Sequence, residues 1–402
     1  MRSLERWKIN LYVLWLTQVL SLMSFGLFAP FIPIYLRELG ITDIASVNLW
    51  TGIMSFTPSA AMVIAAPIWG ILSDRYGKKI MLVRALACAS ALMVGMALVT
   101  NVWQLLFLRA CQGFFTGTVT ASMAFVGSNT PEDRMSYALG FLSSSGFIGY
   151  SIGPVIGGFL VDLVGMRMCF ITAAVSMSIG LLLAIILLKE RPAISTLKEK
   201  SENKIKVDYR KLFTLSIVMI LLMLLTTRMI RSIFGPYITL FVEHLLGTTQ
   251  GAARWTGIIN GAVCIVSAVA TLTIVRLGDK YDKVKILLIL TLITLPFAIL
   301  SSMAGTLMIF ALIYTIFAFS SGAMEPLLTS AASEKIPPEM RGSLFGFIGM
   351  VNNAGFMLAP ILGSYVSVTY SVKAILILIP IFVVLQLIVA FFSLKIEKRF
   401  TI

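Results

Sequence analysis

The sequence predicts an all-α membrane protein: twelve transmembrane helices, built as two parallel-related six-helix bundles around a central cavity. Three observations lead there. Hydrophobic residues make up 58% of the 402 and charged residues 12%, where a soluble globular chain carries about 25% charged; mean hydropathy is +0.95. Apolar runs of membrane-crossing length recur along the whole chain. A set of residues in the first half returns in the second at a constant distance.

A bilayer core about 30 Å thick takes about 20 residues of helix. Inside it each backbone N–H and C=O needs a partner within the segment, which selects helices. The apolar–polar alternation of a membrane barrel is absent. Span one lies near 10–36. It follows the basic start Met1 to Lys8 and continues through Leu36 without a small-residue cleavage site, so it reads as an uncleaved span. Spans two (46–72) and three (80–99) bracket a basic, glycine-containing string. Span four (102–125) contains Arg109, and span five (137–161) is rich in glycine. Span six (168–188) runs into a charged stretch, read as a cytoplasmic linker over 189–210. Spans seven to twelve follow at 211–242, 252–276, 284–303, 306–331, 342–369 and 372–394. The domains expected are the six-helix halves 1–188 and 211–402.

The net charge of +14 reads as topology. With both termini on one side, that side holds 25 of the 32 Lys and Arg. The opposite side holds Arg37, Arg167, Arg254 and Lys373, while Arg109, Arg228 and Arg231 fall inside spans. This asymmetry places both termini in the cytoplasm of a cytoplasmic (inner) cell membrane. No nucleic-acid module accompanies the charge. The four cysteines lie within spans without CxxC spacing, and the one histidine, His244, sits beside an outer loop, so no metal site or cofactor is expected. No GxxxxGK[ST] string is present to bind ATP.

The repeat sets the architecture. Trp50-Thr51-Gly52-Ile53 returns as Trp255-Thr256-Gly257-Ile258, an offset of 255 − 50 = 205. Ala29-Pro30-Phe31-Ile32 returns as Gly235-Pro236-Tyr237-Ile238 at 206, Asp74 as Asp279 at 205, and Gly149 and Pro154 as Gly355 and Pro360 at 206. Six spans per copy is an even number, so both halves enter the membrane in the same direction, an arrangement that sets substrate sites near mid-membrane between them.

Three motifs carry chemistry. After span two, Gly70-Ile71-Leu72-Ser73-Asp74-Arg75-Tyr76-Gly77-Lys78-Lys79 combines a glycine that admits a neighbouring helix, Gly70, with one that permits a sharp turn, Gly77. Asp74 suits a cation or a helix N-terminus; Arg75, Lys78 and Lys79, and Arg134 on the same side, suit an anionic leaflet. Span four has Arg109 in an apolar run, followed by Gln112 and Gly113; a charge there needs a partner or a polar cavity. Span five has Gly146, Gly149, Gly153, Pro154, Gly157 and Gly158, a smooth stripe with a bend. Gly355, Ala359, Pro360 and Gly363 are a weaker copy in span eleven.

The loop pattern GxxxDRxGxK resembles the signature loop of the major facilitator superfamily, with a degenerate copy at Asp279-Lys280-Tyr281-Asp282-Lys283. Arg-x-x-Gln-Gly resembles its fourth-span motif, and GYSIGPVIGG resembles the GxxxGPxxGG antiporter motif of its exporter branches. The resemblance covers essentially the whole chain and is nearest to the twelve-span drug:proton antiporters. It implies a transporter rather than an enzyme, exporting amphipathic small molecules or drugs by alternating access in exchange for protons. It also implies that Arg109 takes part in proton coupling and that loops 70–79 and 275–283 form a cytoplasmic gate. The plainer readings stay open: a topogenic basic loop, an arginine bracing helices through carbonyls, and a generic small-residue helix contact.

Glu325 in span ten stands out as a carboxylate well inside a span, with Pro326 beside it. It is suited to carry a proton or attract a cation, or to form a static ion pair with Arg228 or Arg231. Those two arginines share one face of span seven at i, i+3. They suit an anionic cargo such as an organic anion, siderophore or anionic lipid, or they snorkel to the interface. The partners expected are a small-molecule substrate, protons and membrane lipids, with the chain acting as a monomer.

Overall fold

Apolar runs of this length leave the backbone no solvent to bond, and helices result. The computed structural model describes residues 2–190, 214–337 and 340–400, so most of the linker expected over 189–210 lies outside the described residues. Among those residues no strand occurs, and eleven helical stretches are long and apolar enough to cross a bilayer. The first half contains α1 (Arg2–Phe28), α2 (Ile32–Glu38), α3 (Ile44–Tyr76), α4 (Lys78–Leu98), α5 (Val102–Phe115), α6 (Thr118–Asn129), α7 (Met135–Val164) and α8 (Met166–Leu187). The second contains α9 (Leu215–Ser232), α10 (Ile238–Leu246), α11 (Ala252–Ile274), α12 (Lys283–Met303), α13 (Leu307–Gly322), α14 (Met324–Glu334), α15 (Arg341–Thr369) and α16 (Val372–Phe400).

Span four departs from the single helix expected over 102–125. It is two helices, α5 and α6, parted at Thr116–Gly117. Thr116 turns to ψ −157°, and Gly117 takes φ +116°, a conformation that a Cβ disfavours. Span ten parts at the equivalent place, around Ala323, and 323 − 117 is the repeat offset of 206. Spans one and seven also break in register. The repeated strings form 3-10 turns at Ala29–Phe31 and Gly235–Tyr237, where Pro30 and Pro236 supply no N–H for an α-helical bond.

By packing, the described residues form two units. One comprises 2–42, 57–190 and 248–261; the other comprises 43–56, 214–247, 262–337 and 340–400. In the first, Leu14, Leu82, Leu86, Phe125 and Met177 are fully buried in one apolar cluster. The glycine stripe of α7 lies against α1. A Cβ on Gly149 would sit 2.9 Å from the Val19 carbonyl oxygen, one on Gly153 2.5 Å from that of Met23, and one on Gly157 2.3 Å from that of Leu27. The other edge of α7 receives the start of α11. A Cβ on Gly158 would sit 2.4 Å from the Ala253 carbonyl oxygen, one on Gly257 2.2 Å from that of Pro154, and Arg254 pairs with Asp162 at 3.6 Å.

In the second unit, Ile220, Leu224, Leu287, Met324 and Leu327 form the buried centre. Tyr237 donates its hydroxyl to the Pro360 carbonyl at 2.8 Å. A Cβ on Gly52 would press on Ser364, whose hydroxyl donates to the Asn48 carbonyl at 3.3 Å.

Candidate functional site

The break in span ten positions Glu325. It lies in the first turn of α14, where unpaired N–H groups and the helix dipole favour a carboxylate. Pro326 occupies the same turn, where its missing N–H is not needed. The carboxylate is shared. Oε2 is 3.3 Å from Nη1 of Arg228 and 3.9 Å from Nη1 of Arg231, while Asn352 of α15 donates to Oε1 at 2.8 Å. With side-chain exposures of 24% for Glu325 and 30% for each arginine, the trio is only partly covered by neighbouring side chains. Two cations face one anion, so the cluster carries net positive charge when all three are ionised. Gly355 makes room for it: a Cβ there would meet Cβ of Arg228 at 2.8 Å. Phe356 lies 5.3 Å under the Arg228 guanidinium. Nε of Arg228 and Oδ1 of Asn352 are buried without hydrogen-bond partners. The ion pair expected for these residues is present.

Arg109 belongs to the first unit and is buried. Its Nη1 donates to Oε1 of Gln112 one turn on at 2.8 Å, and the guanidinium lies 5.6 Å from the Phe28 ring. Nε2 of Gln112 is buried without a partner. Gly113 is required by contact, since a Cβ would fall 2.0 Å from the Pro58 carbonyl oxygen. Polar pairs tie the neighbouring helices: Ser21 with Thr118 at 2.9 Å, and Ser122 donating to Gln18 at 3.1 Å.

The basic loop departs from expectation in two places. Gly70 admits no close neighbour, for a Cβ there would meet nothing within 4 Å. Lys79 does not point only towards a leaflet. Its ammonium donates to the carbonyls of Ile185 and Leu188 at 2.9 and 2.7 Å, closing the open end of α8. Gly77 does make the turn, at φ +98°. Arg75 lies over Tyr76, and Arg134 pairs at the surface with Asp133. Lys280 is exposed at the end of a 3-10 turn over Val275–Asp279. The side chains of Asp74 and Asp279 lie outside what the structure describes.

Sequence reasoning gave no role to Glu190, Asn352, Glu243 or Asp162. Glu190 caps α4, its oxygens accepting from the N–H of Lys78 and Lys79 at 2.7 and 3.0 Å. In the second half Asp282 caps α12 from its own position, accepting from Val284 and Lys285. The equivalent residue of the first half, 282 − 205, is Gly77, which has no side chain, so the carboxylate comes from the far end of α8 instead. Asn352 was signalled by two adjacent asparagines in an apolar span. Glu243, set just beyond span seven, is buried at 9% exposure. Asp162, set just beyond span five, is paired with Arg254.

Breaks at matching points in two sets of helices, with charged side chains inside the broken spans, fit a duplicated membrane transporter. The chain belongs to the Major Facilitator Superfamily, whose family model matches residues 14–253 and 220–400. It is 30% identical to the multi-drug resistance efflux pump PmrA homolog of Lactococcus lactis, over 97% of this chain and 96% of that one. It is 29% identical to the multidrug resistance protein MdtG of Proteus mirabilis, over 98% of both. In fold it is similar to a bacterial homolog of the human lysosomal transporter Spinster, with TM-score 0.79 and 12% identity over 96% of each chain. It is also similar to a D-xylose-proton symporter, with TM-score 0.72 and 15% identity over 96% of this chain and 95% of that one.

Proposed function

We propose that the protein is a proton-coupled exporter of amphipathic small molecules, working by alternating access in the cytoplasmic membrane as a monomer with both termini inside. The halves 1–188 and 211–402 are the moving bodies. Glu325 carries the proton, Arg109 with Gln112 tunes coupling, and the loops around Asp74 and Asp279 act as the inner gate. The observation that carries this reading is the shared, partly exposed carboxylate of Glu325, held by Arg228, Arg231 and Asn352 at a helix break. The two nearby cations pair with the ionised carboxylate, so protonating Glu325 and loosening its arginine contacts are coupled events. The names of the drug-efflux relatives agree with export. The test is flux in proteoliposomes under an imposed pH gradient. Glu325→Gln should abolish gradient-driven flux while the protein still inserts and unfolds cooperatively; undiminished flux would remove Glu325 from the proton role.

A second reading keeps the mechanism and changes the cargo. Two arginines against one carboxylate leave positive charge to be met, which favours an anionic group on the substrate. Competition between cationic dyes and anionic amphiphiles for the same flux separates the readings.

A further inference from the structure

The first unit also holds a cavity lined by the cations Arg84 and Lys78. It has a volume of about 280 Å³ and lies between α3, α4 and the break in span four. Arg84 of α4 enters it. Its guanidinium carbon stacks 3.4 Å from the ring centre of Trp69, which is itself fixed by donating Nε1 to the Phe114 carbonyl at 2.6 Å. Nε and Nη1 of Arg84 are buried and make no hydrogen bond. Ser73, 8% exposed, lines the same cavity with its hydroxyl buried and unpartnered.

The third wall is the N-terminus of α6. Gly117 precedes it with no side-chain cap, so the first N–H groups of α6 have no side-chain acceptor beside the cavity that Gly117 and Thr120 line. The opposing helix end is muted. At the end of α5 the Phe114 carbonyl is taken by Trp69, and that of Gln112 by the N–H and hydroxyl of Thr116 at 3.0 and 2.6 Å. Two of the last carbonyls of α5 are thus already engaged. Lys78 borders the cavity, and no carboxylate is among its described lining residues. Met62, Ala65 and Met81 make the rest of the wall apolar.

We propose that this cavity binds a phosphate group, as an inorganic or esterified phosphate or as the headgroup of an anionic lipid. A tetrahedral phosphate offers enough acceptors for an arginine, a hydroxyl and a helix terminus together, where a planar carboxylate offers fewer. The apolar wall suits the organic part of an amphiphile.

The test uses the purified full-length protein and native mass spectrometry, counting bound phosphatidylglycerol against phosphatidylethanolamine of the same chain length, with and without millimolar inorganic phosphate. The wild type should retain phosphatidylglycerol in preference. Arg84→Gln should weaken retention roughly tenfold to hundredfold, the weight of one charge-assisted hydrogen bond. Thr120→Glu covers the case in which Arg84→Gln fails to fold. It places a carboxylate in the first turn of α6, where acid is tolerated, and should abolish the preference. Retention lowered by added phosphate locates the shared chemistry in the phosphate group. Arg84-dependent binding of phosphate without lipid preference assigns the site to soluble phosphates. Equal retention by wild type and both variants, with no response to phosphate, would overturn the proposal.

Discussion

Glu190 and Lys78 stand 112 residues apart in sequence, yet the Glu190 carboxylate accepts from the Lys78 backbone N–H at 2.7 Å. A reciprocal pair between Asn10 and the backbone of Lys189 pins the adjacent residue to α1. The start of the linker is thus sewn to two helices. Glu190→Ala removes a cap worth about 1 kcal/mol. Its chemical unfolding in detergent should shift by that amount, and proteolytic cutting near 190 should quicken. Unchanged unfolding and cutting would mean that the cap carries no weight.

The glycines of α7 and α3 should separate cleanly under substitution. Gly153→Ala and Gly157→Ala drive a methyl into backbone oxygens at 2.5 and 2.3 Å. Each should destabilise by about 1–3 kcal/mol as α1 is pushed away. Gly70→Ala meets nothing within 4 Å and should be neutral or stabilising by up to about 1 kcal/mol through helix propensity. Thermal unfolding of the three variants side by side checks this.

Asp43 accepts from the Ser46 N–H at 2.8 Å at the start of α3. That bond holds its carboxyl below the ordinary value of 3.8. A depressed folded pKa means that the unfolded chain binds the proton more readily. The cap's contribution is therefore present above the ordinary value and lost as pH falls through the folded one. Amide-exchange protection of residues 44–47, corrected for intrinsic rates, should fall below about pH 4 in the wild type. In Asp43→Asn it should stay flat, since the amide caps without titrating.

Spans and duplication were legible because burial in lipid and common descent both write themselves into residue type. So were the Gly77 turn, the α7 stripe and the isolation of Glu325 with its arginines. The break in span four was not, because hydropathy reports polarity and Thr116–Gly117 is hardly polar; the signal was a glycine free to take positive φ. The equivalent break at Ala323 lacks even that cue. Glu190 and the turn of Lys79 towards α8 depend on partners more than a hundred residues away, which no local pattern encodes. The Arg84–Trp69 stack is hidden for a simpler reason: next to the basic loop, Arg84 reads as one more cytoplasmic positive charge.

The trio of Arg228, Arg231 and Glu325 has one further consequence, resting on the proton role proposed for Glu325. Its net charge is +1 with the carboxylate ionised and +2 with it protonated. A site that changes sides while carrying that charge does electrical work, about 2.3 kcal/mol for each charge moved through 100 mV. Loaded and unloaded return steps then feel the resting potential unequally, and turnover becomes a function of voltage as well as of pH.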